Sequence, residues 1–137
     1  MQDLKPILLL EDDEIDAMAV KRALKKLNIA NPLIDYTDGC EALEYLRDEK
    51  KNKPSLILVD VNLPKMSGIE FLDKLKEDAR YKNISAFVFS GHDGADLAGQ
   101  IEYPVAGFIS KPFDLEEFEQ KLQKSGLHRL LTFQVKT

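Results

Sequence analysis

Ile7-Leu8-Leu9-Leu10, followed without a break by Glu11-Asp12-Asp13-Glu14, is the stretch on which the fold turns. Four aliphatic side chains in a row carry no period of two. Both faces of the segment therefore demand apolar cover, as in a parallel strand held between helices. The acids stop the run and open a helix. From Ile15 the apolar positions Met18, Ala19, Ala23, Leu24 and Leu27 recur at helical spacing as far as Asn28, with Lys21, Arg22, Lys25 and Lys26 elsewhere, which predicts an amphipathic helix.

The same alternation repeats along the chain. Strands are expected around residues 33–36, 56–59, 86–89 and 105–109. Helices open at Asp38-Gly39 and after Gly68, and Leu115, Phe118 and Leu122 mark the last one. A weaker helix over 95–101 lies in a segment holding Gly91, Gly94 and Gly99. Strands alternating with helices imply a doubly wound, five-stranded parallel sheet with helices on both faces.

The chain has 137 residues, 19 basic against 24 acidic side chains, a net charge of −5 and 44% hydrophobic positions. That is the size of one domain. Its single cysteine, Cys40, makes no internal disulfide, which fits a reducing compartment and a cytoplasmic location. No apolar run approaches the ~18 residues of a membrane span. The mild acidity argues against a nucleic-acid surface.

Ligands of open parallel sheets bind beyond the carboxyl ends of the strands. There the sequence places Glu11-Asp12-Asp13 after the first strand, Asp60 after the third, Ser90 after the fourth and Lys111 just past the fifth. Each has a bland reading when taken alone: an acidic first helical turn, a strand cap, a turn, a solvated lysine. Their joint placement at successive strand ends is what points to a site. Crowded carboxylates repel one another and call for a cation. An oxygen-only donor set without the regular spacing of a calcium loop favours Mg²⁺, which usually accompanies phosphate. A phosphoryl group accounts for the remainder, with Asp60 as nucleophile, Lys111 as counter-charge and Ser90 as hydroxyl donor.

With these residues in hand, the chain resembles a response-regulator receiver domain, the phosphorylation module of two-component signalling. The resemblance spans nearly the whole chain and rests on ILLLEDD (7–13), LILVDVNLPKMSG (56–68), FVFS (87–90) and GFISKPF (107–113). More narrowly, it is similar to small stand-alone receivers that serve phytochrome-type histidine kinases. It implies the (βα)5 flavodoxin-like fold and a signalling protein rather than an enzyme. A phosphoryl group would reach Asp60 from the phosphohistidine of a histidine kinase or phosphotransfer protein.

It further implies that Asp12 and Asp60 ligate Mg²⁺, with the main-chain carbonyl of Asn62, and Glu11 through water. Asp13 would be a neighbour of that set. The bond before Pro112 would be cis. Ser90 and Phe108 take the switch positions, and they would alter a protein-binding face made by the segment near 95–101, the fifth strand and the last helix. Asn62 and His92 occupy the positions that modulate water's approach to the acyl phosphate. Gly91, where alanine is usual, and Phe108, where tyrosine is common, depart from the family pattern.

Two other readings compete. A haloacid-dehalogenase-like phosphatase also uses a strand-end aspartate with Mg²⁺, but it needs a second aspartate two residues on. That position is Asn62, which cannot serve as a general acid. A receiver-like interaction module that is never phosphorylated is opposed by the intact carboxylates, serine and lysine. No Gly-rich phosphate loop is present. Residues 1–126 are expected to form the receiver. Residues 127–137, with apolar Leu127, Leu130, Leu131, Phe133 and Val135, would lengthen the last helix, with its end folding back onto the core, or form a tail that makes a partner or homodimer surface.

Overall fold

The computed structural model describes residues 4–91 and 97–134. The elements run β1 (Ile7–Leu10), α1 (Glu14–Lys26), β2 (Leu33–Tyr36), α2 (Gly39–Arg47), β3 (Leu56–Asp60), α3 (Gly68–Lys76), β4 (Ser85–Ser90), β5 (Gly107–Ser110) and α4 (Leu115–Ser125), with a 3-10 turn at Leu127–Leu130. The five strands are all parallel in the order β2-β1-β3-β4-β5. This is the doubly wound sheet expected from the alternation, and the order reverses beside β1, at the edge where Glu11 and Asp60 emerge.

The run at β1 is buried at every position, and successive side chains supply opposite layers. Ile7 and Leu9 join α1 and α4 through Ala17, Val20, Leu24, Phe118 and Leu122. Leu8 and Leu10 join α2 and α3 through Ala42, Leu43, Leu46, Phe71, Leu72 and Leu75. The residues of β3 divide in the same way, Leu56 and Leu58 to one layer and Ile57 and Val59 to the other. A solidly apolar strand is thus the alternation of two cores, one on each side.

Helix starts are set by short polar caps. The Asp13 carboxylate accepts from the amides of Ile15 and Asp16, Asp38 caps α2, Ser67 caps α3 and Asp114 caps α4.

Several expectations are corrected. On α1 the buried face is Ala17, Val20, Ala23 and Leu24. Ala23 and Leu24 are as expected and Leu27 packs against the core, but Met18 is 47% exposed and Ile15 78%, and Ala17 and Val20 take the inner positions of the first turns instead. The fifth strand begins at Gly107, because Val105 and Ala106 approach the sheet through a single bond from the Ala106 amide to the Ala86 carbonyl, 2.7 Å. The weak helix expected over 95–101 lies partly outside the described residues. Of its remainder, Leu97 and Ala98 are helical, and Leu97 and Ile101 pack on the α2–α3 layer.

The last helix is not lengthened as expected: after Ser125 the chain turns at Gly126, whose φ of 70° is the left-handed region that suits glycine and ends the helix. The following residues return under the sheet. Leu127 and Leu131 are buried with α1 and α4, and Phe133 forms an antiparallel bridge with Ile29. The Ala30 amide donates to the Thr132 carbonyl at 2.6 Å, the Thr132 amide to Asn31 Oδ1 at 2.7 Å and the Gln134 amide to the Asn28 carbonyl at 2.7 Å. Val135 lies outside the described residues.

Candidate functional site

Register brings the strand ends into one cluster. Asp60 is the last residue of β3, and β1 and β3 pair Leu10 with Val59, so Glu11 and Asp60 leave the sheet side by side. The Lys111 amide donates to the Ser90 carbonyl at 3.1 Å, joining the ends of β4 and β5. The Lys111–Pro112 bond is cis. Carboxylate oxygens of Glu11, Asp12 and Asp60 lie within 4.8 Å of one another, close enough to hold a metal ion.

Lys111 Nζ reaches Asp60 Oδ2 at 2.5 Å, Glu11 Oε1 at 2.8 Å and Asp16 Oδ2 at 3.2 Å. The other oxygen of Asp60 accepts from the Asn62 amide at 3.0 Å. The side chains of Glu11 and Asp60 are 1% and 4% exposed, that of Lys111 22%.

The charge balance is uneven. One ammonium faces three carboxylates, and a fourth, Asp12, stands at the rim. Burial is the main force on the Glu11 carboxyl. Together with neighbouring Asp60 it outweighs the contact with Lys111 and pushes the group up to about 7. Burial also disfavours the Lys111 ammonium, but the contacts with Asp60 and Glu11 prevail and hold it above the ordinary lysine range. The two directions are consistent, because the cluster keeps the lysine charged and shares a surplus negative charge among the acids.

The loop after β3 is shaped to bring the chain back past Asp60. The Gly68 amide donates to the Val61 carbonyl at 3.0 Å. A Cβ on Gly68 would lie 2.2 Å from the Asp60 carbonyl oxygen, so only glycine lets α3 begin there.

Of the residues singled out from sequence, Glu11, Asp12, Asp60 and Lys111 come together, and Ser90 sits 4% exposed at the adjoining strand end. Asn62 touches Asp60 through its amide. Asp13 turns to its helix-capping role. Phe108, paired with Val88 on β5, is half-buried against the α2–α3 layer. A Cβ at Gly91 would meet open space. His92 lies outside the described residues. Asp16 was missed. Its signal was the four-residue step from Asp12 in the first turn after the strand, but an acid there already satisfies a helix dipole and draws no notice.

A five-stranded parallel sheet with carboxylates and a lysine converging at its switch edge defines the class, and the chain belongs to the response regulator receiver domain family, whose model matches residues 7–123. It is a signalling protein of the two-component type. Response regulator Rcp1 of Synechocystis sp. is 33% identical over 124 residues, 87% of this chain and 84% of that one. A crystal structure of the Mn²⁺-bound form of response regulator Rcp1 superposes with a TM-score of 0.75 at 31% identity, covering 97% and 99% of the two chains. The bacteriophytochrome response regulator AtBRR gives 0.82 at 29% identity and 99% of each chain. The phosphorylated cyanobacterial phytochrome response regulator RcpA gives 0.75 at 32% identity, covering 88% and 90%. The phosphatase reading finds no support among these relatives. Among the described residues no helix is long and apolar enough to cross a membrane.

Proposed function

We propose that Asp60 accepts a phosphoryl group from the phosphohistidine of a histidine kinase or phosphotransfer protein, and that this switches a protein-binding surface. The observation that carries the reading is the Lys111 ammonium 2.5 Å from Asp60 Oδ2, beside the oxygens of Glu11 and Asp12. In the transfer an Asp60 carboxylate oxygen bonds to phosphorus as the P–N bond to histidine breaks. The bonding pair stays on the imidazole nitrogen, which then takes a proton. Lys111 is placed to meet the negative phosphoryl oxygens.

The surplus of carboxylates fits a hard divalent cation. Asp12, Asp60 and the Asn62 main-chain carbonyl would hold Mg²⁺, with Glu11 acting through water. Bound there, Mg²⁺ would neutralise the acids and the charge on the transferring group. The Mn²⁺-bound form of Rcp1 supports a divalent ion, and the oxygen-only donors favour magnesium.

Ser90 ends β4, the strand paired with β3 and its Asp60, and would shift toward a new phosphoryl dianion; Phe108 stands on the neighbouring strand β5. Movement of the pair would reshape the face of β5, α4 and the segment near residue 97, the surface we assign to a downstream protein partner. His92 and Asn62 would modulate hydrolysis. The cytoplasm, where such kinases present phosphohistidine, is the expected location. Residues 127–137 are proposed as an extension of a receiver formed by residues 1–126, and a homodimer contact through it is a further reading of its exposed Phe133.

Acetyl phosphate with Mg²⁺, followed by intact-mass spectrometry, tests the assignment. One phosphoryl group is expected on the wild type and none on Asp60→Asn or in EDTA. Uptake undiminished in Asp60→Asn rejects Asp60 as the acceptor.

A further inference from the structure

Lys111 has a third acidic partner outside the carboxylates that cluster at the strand ends. Asp16 Oδ2 lies 3.2 Å from Lys111 Nζ, with side-chain exposures of 28% and 22%. The grouped oxygens that could hold a cation are those of Glu11, Asp12 and Asp60. Asp16 is not among them, so it is free to stay with the lysine when the others turn to a metal. Its place is fixed from both sides. Its amide donates to Asp13 Oδ1 at 3.1 Å, which pins the first turn of α1. Val20, one helical turn further along the same face, lines a small hollow with Lys111, Phe89 and Phe113. The Phe89 and Phe113 rings meet edge to face at 5.6 Å. A single face of α1 thus offers a carboxylate to the ammonium and an apolar surface beside the aliphatic stem.

We propose that Asp16 is a positioning residue that holds the Lys111 ammonium at the acceptor carboxylate while a divalent cation occupies the site. This rests on the reading of Asp60 as phosphoacceptor. The physical need comes from the charges. Lys111 is held chiefly by Asp60 and Glu11, at 2.5 and 2.8 Å. A dication engaging those same acids weakens both contacts and repels the ammonium. A lysine on a flexible four-carbon stem then swings toward water unless another anion keeps it. Asp16 supplies that anion from a helix the metal does not engage. Phosphoryl transfer needs the ammonium in place when the incoming oxygens arrive, so Asp16 acts on the rate through Lys111 and touches neither phosphorus nor metal.

The test compares wild type, Asp16→Asn and Asp16→Glu in the full chain. Phosphoryl uptake from acetyl phosphate is followed at saturating Mg²⁺, Mg²⁺ affinity is titrated separately, and the Lys111 side-chain ammonium is observed by ¹⁵N NMR in the Mg²⁺-loaded protein. The uptake rate of Asp16→Asn at saturating Mg²⁺ is expected to fall roughly three- to tenfold, with Asp16→Glu recovering most of it. The Lys111 ammonium signal, slowed in exchange in the wild type, should be lost in Asp16→Asn and kept in Asp16→Glu. A helix-dipole role alone would shift the melting temperature and leave that signal in place.

Equal uptake by Asp16→Asn and wild type at saturating Mg²⁺ overturns the proposal. So does a loss confined to Mg²⁺ affinity, or an Asp16→Glu variant as impaired as Asp16→Asn. A wild type that takes no phosphoryl group on Asp60 sinks the phosphoacceptor reading instead. The ammonium signal, which needs no transfer, then still decides whether Asp16 holds Lys111 in the loaded site.

Discussion

At the carboxyl ends of the strands the protein buries charge, and at the amino ends it buries neutral pairs. Glu11 and Asp60, with side chains 1% and 4% exposed, share Lys111 and keep more negative charge than one ammonium can answer. At the opposite edge Asn31 donates to the Lys5 carbonyl at 2.8 Å and accepts from the Thr132 amide at 2.7 Å, so a neutral amide ties the entry to β1 to the returning C-terminal segment. Leu127 and Leu131 close the core beneath it. Ion pairs there, such as Arg80 with Asp78 at 2.9 Å and Glu49 at 3.6 Å, stay at the surface. Neutral hydrogen bonds and apolar contacts suffice to hold a fold together, whereas buried carboxylates in excess of their cation reduce stability and mark a candidate functional site.

The largest break in this contrast is expected at Gly68. A methyl group there meets the Asp60 carbonyl oxygen at 2.2 Å and the Asp60 carbonyl carbon at 2.9 Å, both main-chain atoms that no side-chain rotation can relieve. Gly68→Ala should cost about 3 kcal/mol or more in urea unfolding and lower phosphoryl uptake more than about tenfold, since β3's last residue must move. An unchanged uptake rate would mean that the carboxyl edge is softer than its packing indicates. Leu131→Ala probes the other edge. Truncating this buried side chain should cost about 2 kcal/mol while leaving phosphoryl uptake at room temperature as in the wild type. A fall in uptake with no fall in stability would couple the two edges and erase the distinction.

The same contrast marks how far the sequence could be read. The sheet was legible because a strand buried on both faces cannot hide: Ile7–Leu10 is apolar throughout and Leu56–Asp60 is apolar up to its final acid. The site was legible for the same reason, since parallel strands deliver their last residues to one edge whatever the helices do. What escaped depended on rotation or on long-range contact. Apolar content placed Met18 on the inner face of α1, and only packing reveals that Val20 and Ala17 face the sheet. Asp16 looked like a helix-start acid because its link to Lys111 spans 95 positions. The start of β5 shifted by two residues because Val105 has strand character without a ladder partner.

The effect sharpest in sign is the pH dependence of stability in protein kept in EDTA. The Glu11 carboxyl, pushed up to about 7 by burial from an ordinary 4.5, holds its proton in the folded state after the unfolded chain has released it. Stability should therefore decline as pH rises from about 4.5 through about 7. Asp78 has the reverse sign, since its hydrogen bonds with Arg80 hold its carboxyl at about 2 against an ordinary 3.8. The unfolded chain takes up that proton first, so stability should decline as pH falls from about 3.8 to about 2. Urea unfolding in EDTA across both windows reads each slope. Glu11→Gln should flatten the upper one only. Arg80→Ala should weaken the lower one only, and slightly, because that pair lies in solvent and is screened. Loss of the upper slope on Arg80→Ala would show that the two edges titrate as one cluster, against the separation their positions at opposite ends of the sheet impose.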